Sequence, residues 1–273
     1  MPCSVSRSEL ESRKQNLLPA LRKIKVSFME QNISKANERI YWQFKVRQAK
    51  SVLKFARKLF GDNLAVAFSG GKDSLVALHL ALETLGSDLH VIYNHTTVEF
   101  PETVQYVTRL AKEWDLRLFI TKPKKGFFSA VKERGWATHE DRWCCRPYKD
   151  EPAHNFMAAK GIIAEITGTV RTESIYRRSL TPFRMPKKEP FIIRIHPLYD
   201  WNHWEVWRYI KERDLPYNPL YDMKYRRIGC WCCPLNGPSH YKRLRKTHPK
   251  LYSFLRKFRP KHPSILKLEG EED

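Results

Sequence analysis

The stretch Asn63-Leu64-Ala65-Val66-Ala67-Phe68, followed by Ser69-Gly70-Gly71-Lys72-Asp73-Ser74 and then by Leu75 to Leu85, decides the fold. A short apolar run ends in two glycines and gives way to helical periodicity, which reads as strand, tight turn, helix. Two glycines directly after a strand let the backbone turn sharply and aim amide N–H groups at an anion, and the following helix adds its positive end. Lys72 brings a full charge to the same anion, and Ser69 and Ser74 bring hydroxyl donors. Asp73 suits holding Mg²⁺ or orienting the loop. The spacing is not that of a Walker A loop, so this is a different phosphate grip.

Outward from the loop the alternation repeats. Strands are predicted at 89–93, 116–121 and 162–167, with helices at 102–114 and 151–159 between them, and 191–195 reads as a last strand. Strands separated by helices imply a parallel, doubly wound sheet. The basic, proline-containing stretch 171–190 has no periodicity and reads as a mobile loop over the site. Helices are expected at 203–213 and 242–258, two or three more within 1–60, and a disordered acidic tail at 269–273. The organisation expected is a helical extension (1–60), a nucleotide-binding catalytic domain carrying a cysteine cluster (61–235) and a basic helical segment (236–273).

A chain of 273 residues with 42% hydrophobic content is long enough for a sizeable core. No run approaches the roughly 20 apolar residues of a membrane span, and Met1 to Lys14 lacks an apolar signal core, so no membrane partner is expected and the default location is the cytoplasm. There, six cysteines are better read as metal ligands or catalytic thiols than as disulfides. The net charge of +21 invites polyanionic partners. From Asp222 to His262, 12 Lys or Arg face one acidic residue, interleaved with Tyr225, Trp231, Tyr241, Tyr252, Phe254 and Phe258. That pattern fits a basic surface with aromatic stacking partners; the competing reading is a solvated helical face whose aromatics pack inward.

The loop Ser69 to Ser74 resembles the PP-loop of the ATP pyrophosphatase superfamily. Further segments narrow the resemblance to the phosphoadenosine phosphosulfate reductase family: Thr97-Val98-Glu99-Phe100-Pro101-Glu102-Thr103, Thr167-Gly168-Thr169-Val170-Arg171 with Arg177, Pro197-Leu198-Tyr199-Asp200-Trp201, and Leu215 to Tyr221 leading into Ile228-Gly229-Cys230. The resemblance implies an α/β, Rossmann-like adenine-nucleotide α-hydrolase fold, with ATP or a sulfonucleotide across the strand C-terminal ends. On it, Ser69, Gly70, Gly71, Lys72, Asp73, Ser74, Glu99, Gly168, Arg171 and Arg177 bind nucleotide. Lys72, Asp73 and Arg171 act in catalysis, and Asp73 with Glu99 organises Mg²⁺.

Cys144-Cys145 and Cys230-x-x-Cys233, with 84 residues between the pairs, resemble the ligands of the [4Fe–4S] cluster in adenylyl-sulfate reductases. Zinc or unligated thiols are the alternatives. Cys232 reads as a spare ligand, a reactive thiol or packing, and Cys3 as incidental. Two departures stand out: Val98 occupies a place where relatives often carry glycine, and no cysteine follows Cys233, where the reductases place their attacking thiol. The favoured expectation is therefore ATP-dependent sulfur transfer to tRNA or DNA through an adenylated intermediate, served by a thioredoxin-like or ferredoxin-like donor. Reduction of adenylyl or phosphoadenylyl sulfate to sulfite is the alternative, and a nucleotide-sensing nucleic-acid-binding module is a third reading.

Overall fold

The computed structural model describes residues 7–138, 140–186 and 191–257, with side chains from residue 34 onward apart from Tyr176. The expected acidic tail, Phe258 and Cys3 lie outside these residues. The chain divides into two compact units, Met1–Gln48 and Ala49–Asp273, inside helix α1 (Arg7–Phe60). Where two or three helices are expected, α1 is one: after Pro19 no glycine or proline interrupts it until Gly61, whose φ of 57° ends it.

The second unit follows the expected alternation: β1 (Leu64–Ala67), α2 (Lys72–Leu85), β2 (His90–Asn94), α3 (Pro101–Glu113), β3 (Leu118–Thr121), α4 (Phe127–Arg134), α5 (Glu151–Ala159), β4 (Ala164–Ile166), β5 (Phe183–Arg184), β6 (Ile193–Ile195), α6 (His203–Glu212), α7 (Pro238–Thr247) and α8 (Pro249–Lys257). The sheet order is β3-β2-β1-β4-β6-β5. All pairings are parallel except β5 with β6, where Phe183 faces Ile195. Order reverses between β1 and β4, and at such a switch point a parallel sheet opens a crevice beyond its strand ends.

Three expectations change. The stretch 171–190 is not a featureless loop: it holds short 3-10 turns at Arg171–Glu173 and Ile175–Arg177 and the edge strand β5. The expected helix at 242–258 is two helices broken at His248, because Pro249 bars the preceding residue from helical backbone and His248 adopts φ −134°, ψ 63°. Among the described residues most aromatics of the basic segment are not a stacking surface: Tyr225, Trp231, Tyr241 and Tyr252 are buried, while Phe254, half-exposed, packs on Phe128 with centroids 4.9 Å apart. They build a second core with Val98, Phe100, Phe127 and Trp136, and Cys232 is sealed inside it.

Candidate active site

Three strand ends meet at the switch point. After β1 the chain turns through Gly70 (φ 75°). Its serines knit the turn: Ser69 N donates to Ser74 Oγ at 3.2 Å, and Ser74 Oγ donates to Gly71 O at 2.8 Å. Lys72 N donates to the Tyr221 hydroxyl at 2.8 Å, and Lys72 Nζ sits 2.7 Å from both Asp73 carboxylate oxygens. From β4, Gly168 presses against this turn so closely that a Cβ there would lie 2.4 Å from the Asp73 carbonyl. Only glycine permits that approach.

The loop, Gly168 and the segment after β2 line a cleft of about 800 Å³ whose wall continues through Glu99, Lys149, Arg226, Arg227 and Gly229 to Cys230. Glu99 accepts from Thr96 N at 2.9 Å, and its other oxygen lies 3.7 Å from His95 Nδ1. Glu99 forms an isolated antiparallel bridge with Cys230, and Trp231 N donates to Val98 O at 3.0 Å. The left-handed backbone of this segment falls at Thr97 (φ 71°), one residue before Val98. A β-branched residue is costly there, and hydrogen bonds hold it: Thr97 N donates to His95 Nδ1, and Thr97 Oγ1 accepts from Phe127 N, each at 3.2 Å.

Cys145 opens a π-helical turn at Arg146–Asp150, the wide helical form that recurs at functional sites. The adjacent thiols share a hydrogen bond that lowers Cys145 to about 5, with Arg142 and Lys149 assisting against burial. The same bond, with burial, drives Cys144 far up. Cys144 also feels the charge of Cys230 and Cys233, so the four thiols share one electrostatic neighbourhood. Lys149 is raised chiefly by Cys230, then by Cys145 and Cys233. Cys232 is fully buried, and its thiol is pushed well up by desolvation.

Of the residues expected to bind nucleotide, Ser69, Gly71, Lys72, Asp73, Ser74, Glu99 and Gly168 line the cleft, and Gly70 shapes its loop. Arg171 and Arg177 do not line it. Arg171 Nε donates to Leu180 O at 2.7 Å, its guanidinium stacks on Tyr199, and Arg177 pairs with Glu173. Sequence reasoning missed Lys149, His203, Tyr221, Arg226 and Arg227. A signal existed for Lys149, one helical turn beyond Cys145, and for the arginine pair just before Ile228-Gly229-Cys230.

A doubly wound sheet with a Gly-Gly phosphate loop at its switch point defines an adenine-nucleotide α-hydrolase fold. Residues 63–236 match the phosphoadenosine phosphosulfate reductase domain, and the chain belongs to that family. It is 36% identical over 190 residues to an uncharacterised protein of Methanocaldococcus jannaschii, covering 68% of this chain and 45% of that protein. It is 32% identical over 209 residues to the adenosine 5'-phosphosulfate reductase of Salinibacter ruber, covering 74% of this chain and 80% of that one. The chain spans about half the length of the first two relatives it matches. Among solved structures, the phosphoadenylyl-sulfate reductase of Candida auris in a phosphate complex superposes with a TM-score of 0.56 at 28% identity, covering 67% of this chain and 88% of that one. The FAD complex of yeast FAD synthetase (TM-score 0.53, 16% identity, 84% and 82% coverage) shares the fold. No helix among the described residues is long and apolar enough to cross a membrane.

Proposed function

We propose that the chain is an adenine-nucleotide enzyme of sulfur chemistry, and that its reaction is ATP-dependent transfer of sulfur to a nucleic acid, tRNA or DNA. The observation that carries the reading is one continuous cleft running from the phosphate loop to Cys230. In this reading the amides of Gly70 and Gly71 and the Lys72 ammonium hold the terminal phosphates, and Asp73 with Glu99 holds Mg²⁺. An oxygen of the acceptor attacks the α-phosphorus and pyrophosphate leaves. Hydrosulfide then attacks the activated carbon, and AMP departs with that oxygen. Arg171 and Arg177 serve here as struts of the 171–180 segment.

Cys144, Cys145, Cys230 and Cys233 would hold a [4Fe–4S] cluster. Zinc gathers its donors about one point, whereas a cubane takes one thiolate at each of four separate irons. Four soft thiolates are the donor set such a cluster takes, and Cys144 lies in the field of Cys145, Cys230 and Cys233. A bound cluster would supply a redox-capable, sulfur-binding group. Lys149 and Arg142 offset the negative charge of the thiolates.

The second reading is reduction of adenylyl or phosphoadenylyl sulfate to sulfite, favoured by the names of the similar reductases. It needs a thiolate to attack sulfur. Outside the quartet, the described residues offer only Cys232, which burial disables. The deciding test gives anaerobically purified, cluster-loaded protein both sulfonucleotides with excess dithiol, and separately ATP, Mg²⁺, sulfide and bulk tRNA or DNA. Thiolated nucleic acid with AMP and pyrophosphate, abolished in Lys72→Ala, is the expected result. Rapid sulfite release instead establishes the reductase.

A further inference from the structure

We infer that Trp204, Arg226 and Arg227 form a docking lip for a single strand of nucleic acid, one base on the indole and the flanking phosphates on the two guanidiniums. The inference rests on the nucleic-acid acceptor proposed above, and it moves the contact away from the basic segment at 236–257. There Tyr241 and Tyr252 are buried, and the half-exposed Phe254 is held against Phe128 and Trp231, so that surface offers charge with little free aromatic face.

The lip offers both. Trp204 is 78% exposed. Its ring meets edge-on, at 5.6 Å, that of His203, a cleft-lining residue. Its backbone is pinned, because the α6 capping box uses Asn202 Oδ1 to accept from Trp204 N at 2.8 Å and from Glu205 N at 3.0 Å. An indole left in water on a fixed backbone forgoes the stabilisation that burying so large a ring brings. A nucleobase supplies the missing face, and every base has one.

Arg226 and Arg227 line the cleft. Arg227 keeps one contact, to Glu173 at 3.2 Å, with its side chain 80% exposed. Arg226 is exposed and has no ion-pair partner among the described residues. Forked guanidiniums match phosphate oxygens in pairs. His203, edge-on to Trp204, and the two arginines all line the cleft, so a strand held at this lip passes beside the site where an acceptor atom must be.

The test is fluorescence anisotropy of the full chain with labelled single-stranded RNA and DNA over a salt series, with ATP affinity measured in parallel. Trp204→Ala should weaken oligonucleotide binding about tenfold. Arg226→Ala with Arg227→Ala should weaken it and lower the salt slope by about 1.4. ATP affinity should stay unchanged in Trp204→Ala, whose ring does not line the cleft, and Lys246→Ala with Lys250→Ala should bind oligonucleotide within about twofold of wild type. Wild-type binding by the lip variants overturns this inference alone. Failure of the unaltered protein to bind any oligonucleotide overturns the acceptor reading with it. A matching loss of ATP affinity in Trp204→Ala would assign the indole to the nucleotide's own base. Sulfite release by a thioredoxin-like protein that depends on Trp204 would assign the lip to a protein reductant.

Discussion

The Ser69–Ser74 loop and Cys230 stand at two ends of one cleft, and the loop and the set of four thiols to which Cys230 belongs are built in opposite ways. The loop is six consecutive residues held by backbone and hydroxyl hydrogen bonds and by the close approach of Gly168. The thiol array joins two pairs 84 residues apart, brought together by an aromatic core that draws on α4, residues 143–148, the turn at Cys230 and helices α7 and α8. Contiguous geometry depends on single atoms at fixed places. Assembled geometry depends on volume and packing, so the two ends should fail differently.

The sharpest way to break the first end is Gly168→Val. The new Cβ meets the peptide between Asp73 and Ser74, and backbone cannot step aside as a side-chain tip can. Nucleotide affinity should fall at least about a hundredfold, read by calorimetry, and an unaffected Kd would refute the claimed contact. The second end is addressed by Phe127→Ala, which removes a ring packed against Phe128, Trp136, Trp143 and Tyr148. It should cost about 3–5 kcal/mol in urea unfolding and lower bound iron. Nucleotide affinity should change by less than about threefold, since the loop does not draw on that core.

Acid sharpens the comparison on the sheet side. His196 is buried and bonded to Thr167 Oγ1 at 2.8 Å, and burial with Arg194 nearby lowers it from 6.5 to about 4. The unfolded chain then binds the extra proton first, so stability is full above pH 6.5 and is lost as pH falls toward 4. That loss amounts to about 3 kcal/mol. His196→Gln should flatten this part of the pH profile relative to wild type, and parallel profiles would refute it. The smallest effect expected is from Tyr221→Phe, which removes the acceptor of Lys72 N. It should cost about 1 kcal/mol of stability, with nucleotide affinity within about threefold.

Legibility followed the same division. The loop and the strands at 64–67, 90–94, 118–121, 164–166 and 193–195 were readable because an apolar run, glycines and a periodic helix are local signals. β5 was not, since two residues carry no period and its partner β6 begins only at Ile193. The direction of Tyr225, Trp231, Tyr241 and Tyr252 was beyond reach too. A basic run with aromatics reads the same whether the rings face water or a core, and Phe127, Trp136 and Val98 on distant segments settle it. Arg171 and Arg177 are expected at the nucleotide from the family resemblance; in the structure they engage Leu180, Tyr199, Asp200 and Glu173 and do not line the cleft.

The bridge between Glu99 and Cys230 has a further meaning. Glu99 follows β2, the strand adjacent to the β1 that leads into the Ser69–Ser74 loop, so the loop and Cys230 are referenced to a single sheet. The separation between them is thereby a constant of the backbone, independent of side-chain motion. On the proposed reading such a cleft would act as a gauge, favouring ligands by the length of chain between their anchored phosphate and their reacting atom.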